Sequence, residues 1–168
     1  MFPNLTKHMF VMGIDPGLSA TGYGLVEGGH PPVAHLAGVI RTDVRSTMAQ
    51  RLDELFVGLT QIIEESRPDA IALESVFTNQ NLQTAISVGR ASGIALLAAA
   101  RAGIPVSEYA PTAVKSAVTG DGAANKTQIQ TMVARLLRLT ESPRPADAAD
   151  ALAIALCHLR AAPLERVR

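Results

Sequence analysis

The order of elements along this chain predicts an α/β layer fold, in which a three-stranded antiparallel meander joins two crossover-connected parallel strands. Three observations carry it. Three apolar, strand-like runs follow one another in the first quarter of the sequence. Two helical segments then alternate with two more short strands, and the chain closes in helices.

The first strand is expected at Phe10 to Ile14, an apolar run that delivers Asp15 into a Pro16-Gly17 turn. Gly22 to Val26 follows as its hairpin partner, which sets Asp15 at the end of a sheet. An Asx hydrogen bond that merely caps the turn is an equal explanation for an Asp before Pro-Gly. Gly28-Gly29 and Pro31-Pro32 connect to a third strand, Val33 to Ile40. From Ser46 to Ser66, apolar residues from Met48 through Leu55 and Leu59 to Ile63 fall at steps of three and four, with charges between them, which predicts an amphipathic helix closed by Pro68. Ala70 to Leu73 is a short buried strand that ends, like the first, on an acid, Glu74.

A long helix is expected at Asn79 to Ala102, with Ala85, Gly89 and Gly93 four residues apart. Glycine costs up to about 1 kcal/mol relative to alanine inside a helix, so this spacing points to a close backbone neighbour, either the chain's own sheet or a second copy. Ile104 to Tyr109 is the fifth strand and Pro111 to Val118 a short helix. A Gly-containing loop follows, TGDGAA at 119 to 124, and Asn125 with Gln128 forms a capping box for the next helix. The last helix is expected over Ser142 to Leu159.

With 168 residues the chain is long enough for one sizeable core, and a single domain is expected. Hydrophobic residues make up 48% and mean hydropathy is +0.20, yet the longest unbroken apolar run, near Ile94 to Ala100, is far short of the roughly 20 residues of a membrane span. A soluble, cytoplasmic protein with no membrane partner is expected. Residues 1–8 are taken as a loose N-terminal extension, 9–160 as the domain and 161–168 as a short tail. The single cysteine, Cys157, suits a buried apolar position and excludes an internal disulfide. Fifteen basic and fifteen acidic residues cancel, so no global basic excess marks a nucleic-acid partner, and any such role must rest on local charge.

The chemistry concentrates in acids. PADAADALAIALC is apolar all round except for Asp147 and Asp150, three residues apart on one face. Buried unpaired carboxylates cost several kcal/mol, so two on one face require a cation or a place at the helix mouth, where Asp147 as N-cap and Asp150 at the third helical position would also be favourable. If Asp15, Glu74, Asp147 and Asp150 converge, each pair at about 4 Å repels by about 4 kcal/mol at an effective dielectric near 20, and the cluster needs metal. Oxygen-only donors select hard cations such as Mg2+, which activate water for phosphodiester hydrolysis. His8, His30, His35 and His158 are scattered and expected to be incidental. Only three lysines occur, and Lys115 and Lys126 flank the TGDGAA loop, where they suit either phosphate contacts or solvated helix ends.

At these residues the chain resembles the RuvC family of Holliday-junction resolvases, within the ribonuclease-H-like superfamily. The resemblance runs from about Met12 to His158 and rests on GIDPG at 13 to 17 with TGYG at 21 to 24, ALESVF at 72 to 77, EYAPTAVKSAVTGDGAANK at 108 to 126 and PADAADALAIA at 145 to 155. It implies a ribonuclease-H-like five-stranded mixed sheet with helices on both faces. It also implies a homodimer that cuts four-way junction DNA symmetrically in recombination and repair, with the branch-migration proteins RuvA and RuvB as partners. Asp15, Glu74, Asp147 and Asp150 are then ligands of two Mg2+ ions, for which Mn2+ substitutes, with the position of Asp147 the least uniform in the family. Lys115 and Lys126 match phosphate-contacting lysines, Lys115 within the catalytic set, and Phe77 matches an aromatic that touches bases. The neighbouring Thr78, Asn79 and Gln80 are polar where the family has a second aromatic region. Two other assignments remain open on sequence. One is an actin-like or sugar-kinase-like nucleotide-binding domain, suggested by GIDPGLSATGYG but leaving Glu74 and the Asp147–Asp150 pair unexplained. The other is a catalytically inactive DNA-binding module, which would be expected to have lost an acid.

Overall fold

The structure is a computed structural model and describes residues 8–76 and 81–161. Phe77, the Thr78 to Gln80 segment and the outer parts of both terminal extensions lie outside the described residues. The strands are β1 (Phe10–Asp15), β2 (Ala20–Glu27), β3 (Val33–Arg41), β4 (Ala70–Glu74) and β5 (Val106–Tyr109). The helices are α1 (Met48–Ser66), α2 (Leu82–Ala102), α3 (Pro111–Thr119), α4 (Lys126–Leu136) and α5 (Ala146–Ala161). They form one five-stranded sheet in the order β3-β2-β1-β4-β5. β1 is antiparallel to β2 and β2 to β3, while β4 runs parallel to β1 and β5 parallel to β4. The expected meander with two parallel strands is present.

Side chains alternate across a strand, and here the alternation divides two cores. Met12, Ile14, Ile71 and Leu73 point to the face covered by α1 and α2. Val11, Val26 and Ala72 point to the other, where α5 lies directly on the sheet with α3 and α4 beside it. The separation follows from sequence: α1 and α2 arise in the crossovers between parallel strands, and α3 to α5 come after the last strand.

The structure corrects the start of the last helix and decides two alternatives that the sequence leaves open. The last helix begins at Ala146, not Ser142, because residues before Pro143 and Pro145 are driven out of the helical region. Asp147 is therefore the second helical residue and not the N-cap, and Asp150 lies deeper than the third position. On α2, whose described N-cap is Asn81, a Cβ at Gly89 or Gly93 would meet nothing within 4 Å among the described residues, so these glycines do not serve packing on the chain's own sheet. The sheet-facing side of α2 is Ala91, Ala95, Ala98 and Ala99. Its outer side shows Leu82, Ile86 and Leu97 exposed, in line with Gly89 and Gly93 at helical spacing. By length and composition α2 also qualifies as a membrane span, although one side of it is core.

Candidate active site

Asp15 and Glu74 are the last residues of neighbouring parallel strands, in a register that pairs Ile14 with Leu73. Counting in twos from Val11 and Ala72, both acids fall on the α5 face. Two parallel strand ends thus place two carboxylates side by side, each closing one of the apolar runs that the sequence shows.

The other two acids depend on how closely α5 approaches. A Cβ on Gly13 would overlap the Ala151 carbonyl oxygen, and one on Gly22 would overlap the carbonyl oxygen of Asp147. Glycine at these two positions lets the helix backbone rest against β1 and β2. Carboxylate oxygens of Asp15, Asp147 and Asp150 consequently lie within 4.8 Å of one another. Glu74 lines an adjoining cleft of about 230 Å³ with Asp15, Asp150, Lys115, Asn125 and Lys126. Asp147 belongs to the tight acid group but does not line that cleft.

The cations come from the α3–α4 hairpin. α3 stops at Gly120 in the left-handed conformation, φ 80°, and α4 opens with the expected Asn125–Gln128 capping box. That places Lys126 at the first position of α4, where a positive charge opposes the helix dipole. Asp150 compensates: Lys126 Nζ lies 3.1 Å from its Oδ2. This hydrogen bond and charge raise the Lys126 pKa above its ordinary value. Lys115, on α3, lines the same cleft and its charge draws the Glu74 pKa down.

The electrostatics are those of a strained acid cluster. Burial, then the charges of Glu74, Asp150 and Asp147, push Asp15 up to about 7 from 3.8, opposed in part by Lys126. Burial and then Asp150 raise Glu74, and Lys115 and Lys126 do not fully offset them. An all-oxygen donor set at this spacing fits a hard divalent cation held by carboxylates. The donors would be Asp15, Asp147 and Asp150, with Glu74 beside them.

The histidines stay apart from the cleft. His158 is buried in the last turn of α5, away from the acids, and its Nδ1 pairs with Tyr109 Oη at 2.8 Å. Sequence reasoning missed the side chains around the turn that follows Asp15: Ser19, Thr42 and Arg51 are joined there by hydrogen bonds. Arg51 sits among the charged residues of an amphipathic helix, and nothing local distinguishes it from its neighbours.

Comparison with known proteins adds an independent line. The family model for crossover junction endodeoxyribonuclease RuvC matches residues 11–158. The crossover junction endodeoxyribonuclease RuvC of Salinispora arenicola is 53% identical over 153 residues, covering 90% of this chain and 87% of that protein. Among solved structures, T. thermophilus RuvC in complex with a Holliday junction substrate superposes with a TM-score of 0.86 at 38% identity, covering 91% of this chain and 94% of that one. The yeast mitochondrial Holliday junction resolvase Ydc2 shares the fold, with a TM-score of 0.63 at 14% identity over 89% of this chain and 78% of that one.

Proposed function

The chain belongs to the RuvC family of crossover junction endodeoxyribonucleases, and from that premise we propose that Asp15, Glu74, Asp147 and Asp150 hold two Mg2+ ions with which it cuts four-way junctions. It is a metal-dependent endodeoxyribonuclease of recombination and repair. The observation that carries the site assignment is the convergence of three carboxylates within 4.8 Å, beside Glu74 and two lysines. Divalent ions bound there supply an activated water and stabilise the displaced oxygen of the phosphodiester.

The chain's own groups do the rest. Burial and the neighbouring acids let Asp15 hold a proton for much of the time near neutral pH, one it would have to release to hold a cation. Lys126 spends one of its three N–H bonds on Asp150 and keeps two for a phosphate oxygen. Lys115, close to Glu74, offers a second phosphate contact and belongs to the catalytic set. The α3–α4 hairpin thereby sets positive charge on the cleft wall facing the acids, which is how a chain with no net charge attracts DNA locally. Phe77 is assigned a base contact from the family resemblance.

Residues 9–160 form the nuclease domain in this proposal, and the protein acts in the cytoplasm as a homodimer whose two sites nick opposite strands. The exposed stripe of Leu82, Ile86, Gly89, Gly93 and Leu97 supports a second copy docking on α2, since glycines open on one side admit a close backbone. RuvA and RuvB are the expected branch-migration partners. The test is a synthetic four-way junction incubated with the protein. Nicked duplexes are expected with Mg2+ or Mn2+, and undiminished cleavage in excess EDTA overturns the metal assignment.

A further inference from the structure

Asp15 is the last residue of β1, and the chain leaves the ladder at once through Pro16, which has no N–H to give. The carboxylate that lies within 4.8 Å of those of Asp147 and Asp150 therefore has no strand beyond it to resist displacement. Side chains from three other elements supply the missing restraint. Thr21, 1% exposed on β2, donates its hydroxyl to Gly17 O at 2.6 Å and accepts from Gly17 N at 3.3 Å. Thr42, 6% exposed just after β3, donates to Leu18 O at 2.7 Å, and its own N–H reaches Ser19 O at 3.3 Å.

The direction of the next bonds is forced. A guanidinium only donates, so Arg51 Nε gives its proton to Thr42 Oγ1 at 2.9 Å, and the single hydroxyl proton of Thr42 is left for the Leu18 carbonyl. Arg51 Nη2 donates to Ser19 Oγ at 2.8 Å. One rigid fork from α1 thus spans two hydroxyls on either side of the turn. The nearby Arg45 is occupied with Asp43, at 3.0 and 3.1 Å, and leaves Arg51 to this task.

We propose that Arg51 and Thr42 are positioning residues for this nuclease, clamping the Pro16–Ser19 turn so that Asp15 keeps its place in the acid cluster. The proposal rests on the reading of Asp15 as a metal ligand. Groups that orient ligands from behind typically change metal affinity or activity by about 10- to 100-fold when lost. Arg51→Lys is the informative variant, because lysine keeps the charge and loses the fork. Thr42→Val removes the relay hydroxyl at nearly constant shape.

The experiment uses the full chain and four measurements: amide hydrogen exchange over residues 17–19, Mn2+ affinity by calorimetry, junction affinity in EDTA by gel shift, and single-turnover cleavage in Mg2+. Both variants should exchange faster at the turn, bind Mn2+ about 10- to 100-fold more weakly, cleave correspondingly slowly and keep wild-type junction affinity. Wild-type Mn2+ affinity in Arg51→Lys overturns the clamp, whatever the exchange rate. Weakened junction binding with unaltered Mn2+ affinity also overturns it and makes Arg51 a phosphate contact. If Thr42→Val does not fold, Arg51→Lys decides alone. Asp15→Asn run alongside separates the two layers: loss of Mn2+ affinity there but not in Arg51→Lys refutes only the clamp, whereas no loss in Asp15→Asn refutes the metal reading beneath it.

Discussion

Replacing Asp15 with Asn should make the ion-free protein more stable at neutral pH, the reverse of what removing a native contact ordinarily does. Asp15 ionises at 3.8 when unconstrained and at about 7 in the fold. Its folded value is raised, so below 3.8 both states carry the proton and Asp15 costs nothing. As pH climbs from there toward 7, the unfolded chain ionises while the fold does not, and stability falls by about 1.4 kcal/mol per pH unit. Above 7 the cost levels off at about 4 kcal/mol, a ceiling that counterions reduce and in which the opposing charge of Lys126 is already counted. Asn is nearly the same shape and carries none of this dependence. Urea unfolding in EDTA at pH 5 and pH 8 measures the difference directly, and the other titrating groups largely cancel between the two proteins. The Asn variant should gain about 2 to 3 kcal/mol on wild type between these pH values. Mg2+ should restore wild type by about 2.7 kcal/mol at a hundredfold excess over its dissociation constant, and the variant by much less. Parallel pH curves, or an Asn variant less stable than wild type at pH 8 in EDTA, would refute the account of Asp15 as a buried acid held against its neighbours.

Asp150→Asn should retain junction binding in EDTA and lose cleavage by about three orders of magnitude or more, read in single turnover; near-wild-type cleavage would defeat the two-ion assignment, while the same result for Asp147→Asn alone would only remove that residue from the ligands. Lys126→Ala and Lys115→Ala should each lower the salt slope of junction binding by about one without unfolding the chain, and unchanged slopes and rates in both would return them to solvated surface residues. Gly89→Leu should give a folded monomer, because a Cβ there meets nothing within 4 Å among the described residues, and the isolated fold should gain up to about 1 kcal/mol from helix propensity. Light scattering decides it, and a variant with the mass of a wild-type dimer would place the second copy elsewhere.

Much of this molecule is legible locally. An apolar run ending on an acid before a turn needs no distant information, so the strands that bear Asp15 and Glu74 follow from periodicity, while the register that sets the two acids side by side belongs to the fold. The capping box at Asn125 is likewise local, and it places Lys126 within one residue. The start of α5 is less legible, because a helix that is apolar nearly all round does not mark its own first turn and the two prolines shift it to Ala146.

Other features were beyond sequence because they depend on which surfaces meet. An alanine-rich helix such as α2 is apolar on nearly every side, so its composition left the outward turn of Gly89 and Gly93 undetermined. Arg51 reaches a serine 32 residues away, and no spacing within α1 foretells that.

By itself the sequence determined the chemical inventory: two carboxylates at strand ends and two on one helix face, two lysines around a glycine loop, and an order of elements with two crossover-connected parallel strands. Short-range sterics and hydrogen bonding act over a few residues and are written in the residues themselves. Only the tertiary structure decided that α5 lies on β1 and β2 closely enough, across Gly13 and Gly22, to bring Asp147 and Asp150 within 4.8 Å of Asp15. It alone decided that the turn behind Asp15 is held from α1. Both results come from close packing of segments far apart in the chain, where the missing Cβ of one and the reach of a side chain from another matter only once the backbones have met.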